Sequence, residues 1–409
     1  MPLSIVYVSD SNTVSGAEHV LFHYLDHLRP PEFKTHVFFR ASNTRMRQAL
    51  DVRGIGYTQS DGFSTRTIRT TWRCDDLWSF ATAFRRIRRE LRQVLERERA
   101  DIVHSISYPT ALYTAFAARA AGVPQVWHEH NIKRIHRFNA PIYRWVAGSC
   151  RRVVGPSDAV THAIGQAGIS LPRLQTVYNG IDLSRFVRSQ DERERMRQEL
   201  GLSGTEMAVG LVGQLLPYKG HRTLIEAAPA ILAAHPRTRF FIVGALENPP
   251  YEQDLRAAIR AAALEDRFVF TGWRSDVHAI VSAMDVSIVA TLTPEPAALS
   301  LMEAMALGCP LIASRTGGTA EIVLDRETGL LFPPGDSEAL ATLVNEVFTN
   351  AALRERLAMA GRRRMVERFS LQRHLDQMVA MYRSSVAEAA VPPEMTPSRL
   401  VDGGDAVTG

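Results

Sequence analysis

The feature that most restricts this chain is a repeated grammar: short runs rich in β-branched and aromatic residues, each followed by a turn or by sequence of helical pattern. "LSIVYVSD", "THVFFR", "DIVHSIS", "PQVWHEHN", "RRVVGPS" and "RLQTVYNG" establish it in the first half. "MAVGLVGQ", "RFFIVG", "RFVFTG", "VSIVAT", "PLIAS" and "GLLFP" repeat it in the second. Strands separated by helices cannot pair through tight hairpins, so they align in parallel, and a parallel sheet needs helices on both faces. The sequence therefore predicts an α/β chain. Its 409 residues also exceed what a single core ordinarily holds.

Two successive Rossmann-like, doubly wound parallel-sheet domains, facing each other across a cleft, are expected. The first covers residues 1–183. Residues 184–206 are charged, contain Gly and Ser and lack a strand pattern, which reads as an interdomain linker with a short helix. The second domain covers 207–368. A helical segment at 369–387 follows, free to pack back on the first domain, and the Pro- and Gly-containing residues 388–409 are expected to be a disordered tail.

Apolar content of 45% and charged content of 22% fit a soluble globular enzyme and exclude a disordered or fibrous chain. Cys74, Cys150 and Cys309 lie far apart and form no metal-ligand spacing, so they read as reduced thiols of a cytoplasmic protein. "MPLSIVYVSD" has no basic region ahead of its short apolar run, and no uncharged stretch approaches the roughly 20 residues that span a bilayer. The expectation is a protein neither exported nor integral to a membrane. Net charge is only +5 but uneven: residues 62–100 hold ten arginines against five acids, and six Lys/Arg with no acid lie between Glu129 and Asp158. That asymmetry suggests an anionic partner for the first half.

In doubly wound domains ligands bind where strand C-termini meet helix N-termini, because unpaired amides and the helix dipole there favour anions. The loops at those ends are "SDSNTVSGAEHV", "GQLLPYKGHRT", "TPEPAALSLMEA" and "RTGGTAEIV". Gly16 of "SGAE" either makes a tight turn or lets a ligand approach the backbone. Lys219 of "PYKG" is either an exposed turn lysine or a cation placed to neutralise a departing diphosphate. Glu295 and Glu303, eight positions apart, could complement a helix dipole and decorate a helix surface. They could equally accept hydrogen bonds from two vicinal diols, since a nucleotide sugar carries one on each side of its diphosphate.

Taken together, "SGAE", "VYNGID", "VGQLLPYKG", the Glu-x7-Glu spacing continued by "EAMALGCPLIAS", "GGTAEIV" and "TGLLFPPGD" resemble the retaining GT-B glycosyltransferases of family four, also called glycosyl transferases group 1. The resemblance covers nearly the whole globular chain. It implies that Glu295 holds hydroxyls of the donor sugar and Glu303 the ribose diol. Lys219 and Gly16 would flank the diphosphate, and the backbone amides of Leu299 and Ser300 would meet its β-phosphate. Gly213 and Gln214 would line the phosphate loop, and Ala297 and Ala298 the loop after the first Glu. His130 of "VWHEHN" would contact the sugar near its anomeric carbon, with His128 as the competing choice. Trp273 matches the place where the family cradles the base, and a core tryptophan is the alternative. The chain departs from the family pattern at Gln214, where Arg is usual, and at Ala297–Ala298, where Phe-Gly is usual.

The implied reaction is sugar transfer from a UDP- or GDP-sugar to an acceptor hydroxyl with retention, through an oxocarbenium-like transition state. No cofactor is expected. The chain has no Asp-x-Asp motif, so metal-independent transfer is expected as well. A non-catalytic sugar-nucleotide-binding relative and a GT-B phosphorylase would use the same motifs. A dehydrogenase is disfavoured because no GxGxxG follows a strand. The arginine-rich stretch from Ala81 can pair with Glu90, Glu96 and Glu98 on a solvated helix. "NIKRIHRFNAPIYRWVAGSCRR", from Asn131, interleaves basic and aromatic residues without an acid. This second stretch suits an anionic membrane surface at the inner face of the membrane and a lipid-linked or other glycan acceptor. No nucleic acid partner is expected.

Overall fold

The computed structural model describes residues 2–63, 74–245 and 248–390. The first half contains β1 (Leu3–Ser9), α1 (Gly16–His27), β2 (Phe33–Arg40), α2 (Thr44–Arg53), β3 (Gly56–Ser60), α3 (Cys74–Glu98), β4 (Ile102–Ser105) and α4 (Tyr108–Ala121), then β5 (Gln125–His128), α5 (Ala140–Gly148), β6 (Arg152–Gly155), α6 (Asp158–Gly165) and β7 (Leu174–Thr176). The second half contains α7 (Gln190–Glu199), β8 (Met207–Val212), α8 (His221–Ala234), β9 (Thr238–Val243), α9 (Pro249–Ala261), β10 (Phe268–Gly272), α10 (Val277–Ala283) and β11 (Val286–Val289). It continues with α11 (Leu299–Ala306), β12 (Leu311–Ser314), α12 (Thr319–Ile322), β13 (Leu330–Phe332), α13 (Ser337–Thr349), α14 (Ala351–Arg368) and α15 (Leu371–Ala390).

Two parallel sheets result, ordered β3-β2-β1-β4-β5-β6-β7 and β10-β9-β8-β11-β12-β13. Each reverses its strand order once, between β1 and β4 and between β8 and β11. Alternation along the strands divides each core in two, because successive side chains point to opposite faces. Ile5, Tyr7, Val37 and Phe39 join α1 on one side of the first sheet, while Val6, Val8, Phe38 and Val103 meet α3 and α4 on the other. Val209, Leu211, Phe240 and Ile242 pack with α8 and α13, and Ala208, Phe241 and Val243 with α10 and α11. The sequence reading passes over β3, an edge strand whose "GYTQS" offers few apolar β-formers.

Residues 184–206 do not form a free connector. Met196 of α7 and Leu202 are buried in the second-domain core. Arg193 and Arg197 converge on Asp285, at 2.6 and 3.3 Å, so the charged helix is held by directed ion pairs that composition does not reveal. The chain crosses between domains a second time at its end: Leu371, Leu375, Met378 and Tyr382 of α15 lie in the first-domain core. At that crossing Ile181 N donates to Phe369 O and Leu371 N to Ile181 O, both at 2.9 Å. A Cβ on Gly180 would fall 2.7 Å from the Leu371 Cα, so the glycine of "VYNGID" lets the two crossings touch. The helix α15 continues through Ala390, so residues 388–390 of the expected disordered tail are helical, whereas 391–409 lie outside the described residues. Cys150 and Cys309 are free and buried.

Candidate active site

The loops after β8 and β11 flank the second sheet's reversal, the position where open α/β sheets bind ligands. They meet backbone to backbone: Leu292 N donates to Tyr218 O at 2.7 Å. Gly220, at φ +73°, could carry a Cβ only within 1.9 Å of the Ala290 carbonyl oxygen. This contact sets Lys219 beside Glu295. The ammonium bonds Glu295 Oε1, and the Thr291 hydroxyl donates to Oε2. Both charged side chains are largely buried, at 21% and 11% exposure, so Lys219 is not the exposed turn lysine that sequence left open. Gly213 and Gln214 line the same loop, half-buried.

Ala298 caps α11 at φ −70°, ψ 117°, a conformation open to any residue, so the glycine usual in the family is not required by the backbone here. The half-buried Leu299 and Ser300 are the first two residues of α11, and a helix leaves the first four of its amides without intrahelical partners. Glu303, one turn in, shares the face of Leu299. It is half-buried; burial pushes its carboxyl up to about 7, with Arg185 pulling the other way.

In the first domain, Gly16 opens α1 at the end of the β1 loop, where a Cβ would meet nothing within 4 Å. Glu18 steadies this start by accepting from Ser15 N at 2.9 Å and from the Ser15 and Ser9 hydroxyls. His130 is half-buried just beyond β5, and His128 is fully buried beneath it, the rings 4.0 Å apart. Glu129 organises the loop between them: buried itself, it accepts from Tyr108 N at 2.9 Å, from Asn131 N at 3.0 Å and from the Trp127 indole, with Lys133 Nζ at 3.4 Å. Desolvation pushes its carboxyl up.

The two domains meet at "TGGT". Gly318 N donates to Glu295 O at 2.8 Å. A Cβ on Gly317 would lie 2.8 Å from the Ile132 Cδ1, and one on Gly318 2.8 Å from the Ser157 Cβ. The turn thus packs the Glu295 loop against the segment that follows His130. Trp273 stands at the end of edge strand β10 with 71% of its surface exposed, which overturns the core alternative. Glu129, Arg185 and Glu321 are not among the residues that the sequence singles out, although Glu129 lies within "VWHEHN" and Glu321 within "GGTAEIV"; Glu129 could have been found from Lys133 four positions on, whereas the partners of Glu321 on α6 are more than 160 positions away.

A family model described as "Glycosyl transferases group 1" matches residues 192–364, and one described as "Glycosyltransferase Family 4" matches residues 14–185. The chain is 26% identical over 313 residues, 71% of its length and 77% of the relative's, to an Escherichia coli UDP-Gal:alpha-D-GlcNAc-diphosphoundecaprenol alpha-1,3-galactosyltransferase. It is 30% identical over 229 residues, 54% of this chain and 55% of the relative, to a Mycolicibacterium smegmatis GDP-mannose-dependent alpha-(1-6)-phosphatidylinositol monomannoside mannosyltransferase. Its fold matches Anabaena Alr3699/HepE, solved in complex with UDP and glucose, with a TM-score of 0.79 at 24% identity over 93% of this chain and 100% of that one.

Proposed function

The chain belongs to the group 1 glycosyl transferases, and from that premise we propose that it moves a sugar, with retention, from a nucleoside diphosphate sugar to a hydroxyl of a lipid-linked or polysaccharide acceptor of the cell envelope. The observation that carries this reading is the Lys219–Glu295 pair beside the start of α11. The two charges neutralise each other. A donor separates their tasks: the ammonium and the α11 amides take the diphosphate, and Glu295 takes sugar hydroxyls. Charge builds on the leaving phosphate as the glycosidic bond breaks, so a cation already in place favours the transition state over the ground state. No further side chain is assigned as general base; the leaving phosphate oxygen can accept the acceptor proton while the protein positions the reactants.

The test is a screen of UDP-, GDP- and ADP-sugars for donor hydrolysis by the purified protein, with and without EDTA. At least one donor is expected to be cleaved, and EDTA to leave the rate largely intact. With that donor, Glu303→Gln is expected to raise KM while Glu295→Gln mainly lowers kcat, because the ribose stays bound in the same way through the reaction and the transferred sugar does not. Absence of cleavage of every donor, or wild-type kinetics in both variants, counts against the assignment.

The first domain's surface supports a reading of membrane attachment. Phe138, Trp145 and Ile142 are 77%, 45% and 44% exposed. Phe116 packs at a tilt against Trp145 with ring centroids 4.9 Å apart, Arg137 lies over the Phe138 ring, and Arg134 and Arg144 of the same segment are exposed. Apolar rings among arginines suit an anionic interface, where each charge contributes about 1 kcal/mol, and an anionic leaflet implies the cytoplasmic face. Wild type is expected to sediment with anionic vesicles at low salt and to be released at high salt. Charge reversal at Arg134 and Arg137 should abolish sedimentation; unchanged sedimentation would reject the membrane reading and favour a soluble acceptor. Lys133 is left out of this variant because it answers the buried Glu129.

A further inference from the structure

The turn that supports the Glu295 loop is itself fastened to the other domain. Glu321, on α12, follows Gly318 by three residues. Its carboxylate oxygens accept from the backbone amides of Asp158 and Ala159, each at 2.7 Å. These are the first two amides of α6, a first-domain helix. A second-domain carboxylate therefore satisfies donors that a helix start leaves open, and it meets the positive end of that helix's dipole. Arg364 of α14 braces α12 from behind, donating to Ile322 O at 2.6 Å and Glu321 O at 2.8 Å.

The joint is held without being locked. The Tyr178 hydroxyl lies 3.0 Å from Glu321 Oε2 and 3.0 Å from Asp158 Oδ2, yet it has one proton and can donate to only one of them. Asp158 also accepts from the Thr176 hydroxyl at 2.6 Å, but the two carboxylates compete for the one Tyr178 proton, and their mutual repulsion offsets part of what the amides contribute. Such a balance suits a contact that forms and breaks. Tyr178 also lies in the segment where the chain first crosses between domains, edge-on to Phe369 of the second crossing at 5.4 Å.

We propose that Glu321 is a positioning residue for glycosyl transfer: by capping α6 across the cleft it holds the domains so that the Glu295 loop faces the loop carrying His130, and it lets go when the cleft opens for substrate exchange. The proposal rests on the transferase reading. The side chains assigned to the nucleotide and its diphosphate, Lys219 and Glu303, belong to the second domain, and the first domain offers the diphosphate only the backbone at Gly16, so the latch bears on alignment more than on nucleotide affinity. Misplacement of reacting groups by about an ångström can cost 10²-fold in rate.

Glu321→Ala and Glu321→Gln are compared with wild type by small-angle scattering, by calorimetric titration with UDP, GDP and ADP separately, and by steady-state kinetics with the donor chosen by the screen. The alanine variant is expected to show a larger radius of gyration and a kcat lower by about tenfold or more. Its nucleotide affinity is expected within about twofold of wild type, and its melting temperature nearly unchanged. The glutamine variant keeps one acceptor oxygen and should fall between. The proposal is overturned if the alanine variant scatters and turns over like wild type, or if kcat, nucleotide affinity and melting temperature fall together, as a merely structural role requires. If none of UDP, GDP and ADP binds wild type, the transferase reading fails, and the scattering comparison still decides whether the latch exists.

Discussion

Replacing Lys219 by alanine is expected to lower turnover about 10²-fold or more, the scale of removing one preorganised donor from a developing charge. The loss acts twice. The departing diphosphate has no side-chain cation in its loop, since Gln214 stands where the family usually has arginine. Glu295, relieved of its partner, keeps only the Thr291 hydroxyl, and its unneutralised carboxylate then opposes the approach of phosphate. Single-turnover rates at saturating donor are the measurement, because they report the chemical step apart from binding and release. A reduction below about threefold would return Lys219 to an ordinary turn residue. A wild-type melting temperature in the variant separates the catalytic effect from a folding defect.

Stability is expected to fall as the pH drops from about 6.5 toward 4, because the first domain buries neutral imidazoles. His104 Nδ1 meets the Tyr382 hydroxyl at 2.5 Å, and His374 Nε2 meets Tyr24 at 2.8 Å while its Nδ1 meets Tyr178 O at 2.7 Å. His128 lies between His104 and His130. Desolvation lowers the first two to about 3 and about 4, and holds His128 well below its ordinary value. The sign follows from proton counts. In acid the unfolded chain protonates these rings and the folded chain does not, so their stabilisation is complete above about 6.5 and is lost as the pH falls toward the folded values. Each such group changes stability by up to about 1.4 kcal/mol per pH unit. Glu129 and Glu303, raised by burial, bind protons in the folded state and oppose the trend. A net loss on the order of 1 kcal/mol per pH unit remains, appreciable against the roughly 5–15 kcal/mol that holds a domain folded. Thermal melts between pH 7.5 and 4.5 test it, with His374→Gln expected to flatten the slope. An unchanged melting temperature from pH 7 to 5 would show that the cluster carries no linkage.

The histidine cluster also marks where sequence reading stops. His374 reaches Tyr24 across 350 positions, and nothing near residue 374 signals a partner near the start of the chain. The same holds for Glu321: it stands in a quoted motif as one acid on a short helix, and its role appears only when α6, more than 160 positions earlier, is brought beneath it. Lys219 and Glu295 are each visible as candidates in their own loops. That they neutralise each other depends on β8 and β11 lying side by side, with Gly220 pressed against Ala290.

What the sequence determined by itself is whatever is encoded locally. The alternation of β-branched runs with helical pattern prescribes parallel, doubly wound sheets; turn residues place the loops; and the Glu-x7-Glu spacing sets two carboxylates on one loop and helix. Such signals survive in one dimension because backbone conformation and side-chain periodicity depend on near neighbours. The tertiary structure alone decided that residues 184–206 pack as part of the second domain, that Trp273 faces solvent, that α15 closes the first core, and that Glu321 reaches across the cleft. Each of those outcomes depends on which desolvated groups find partners once distant elements are brought together, and that balance exists only in three dimensions.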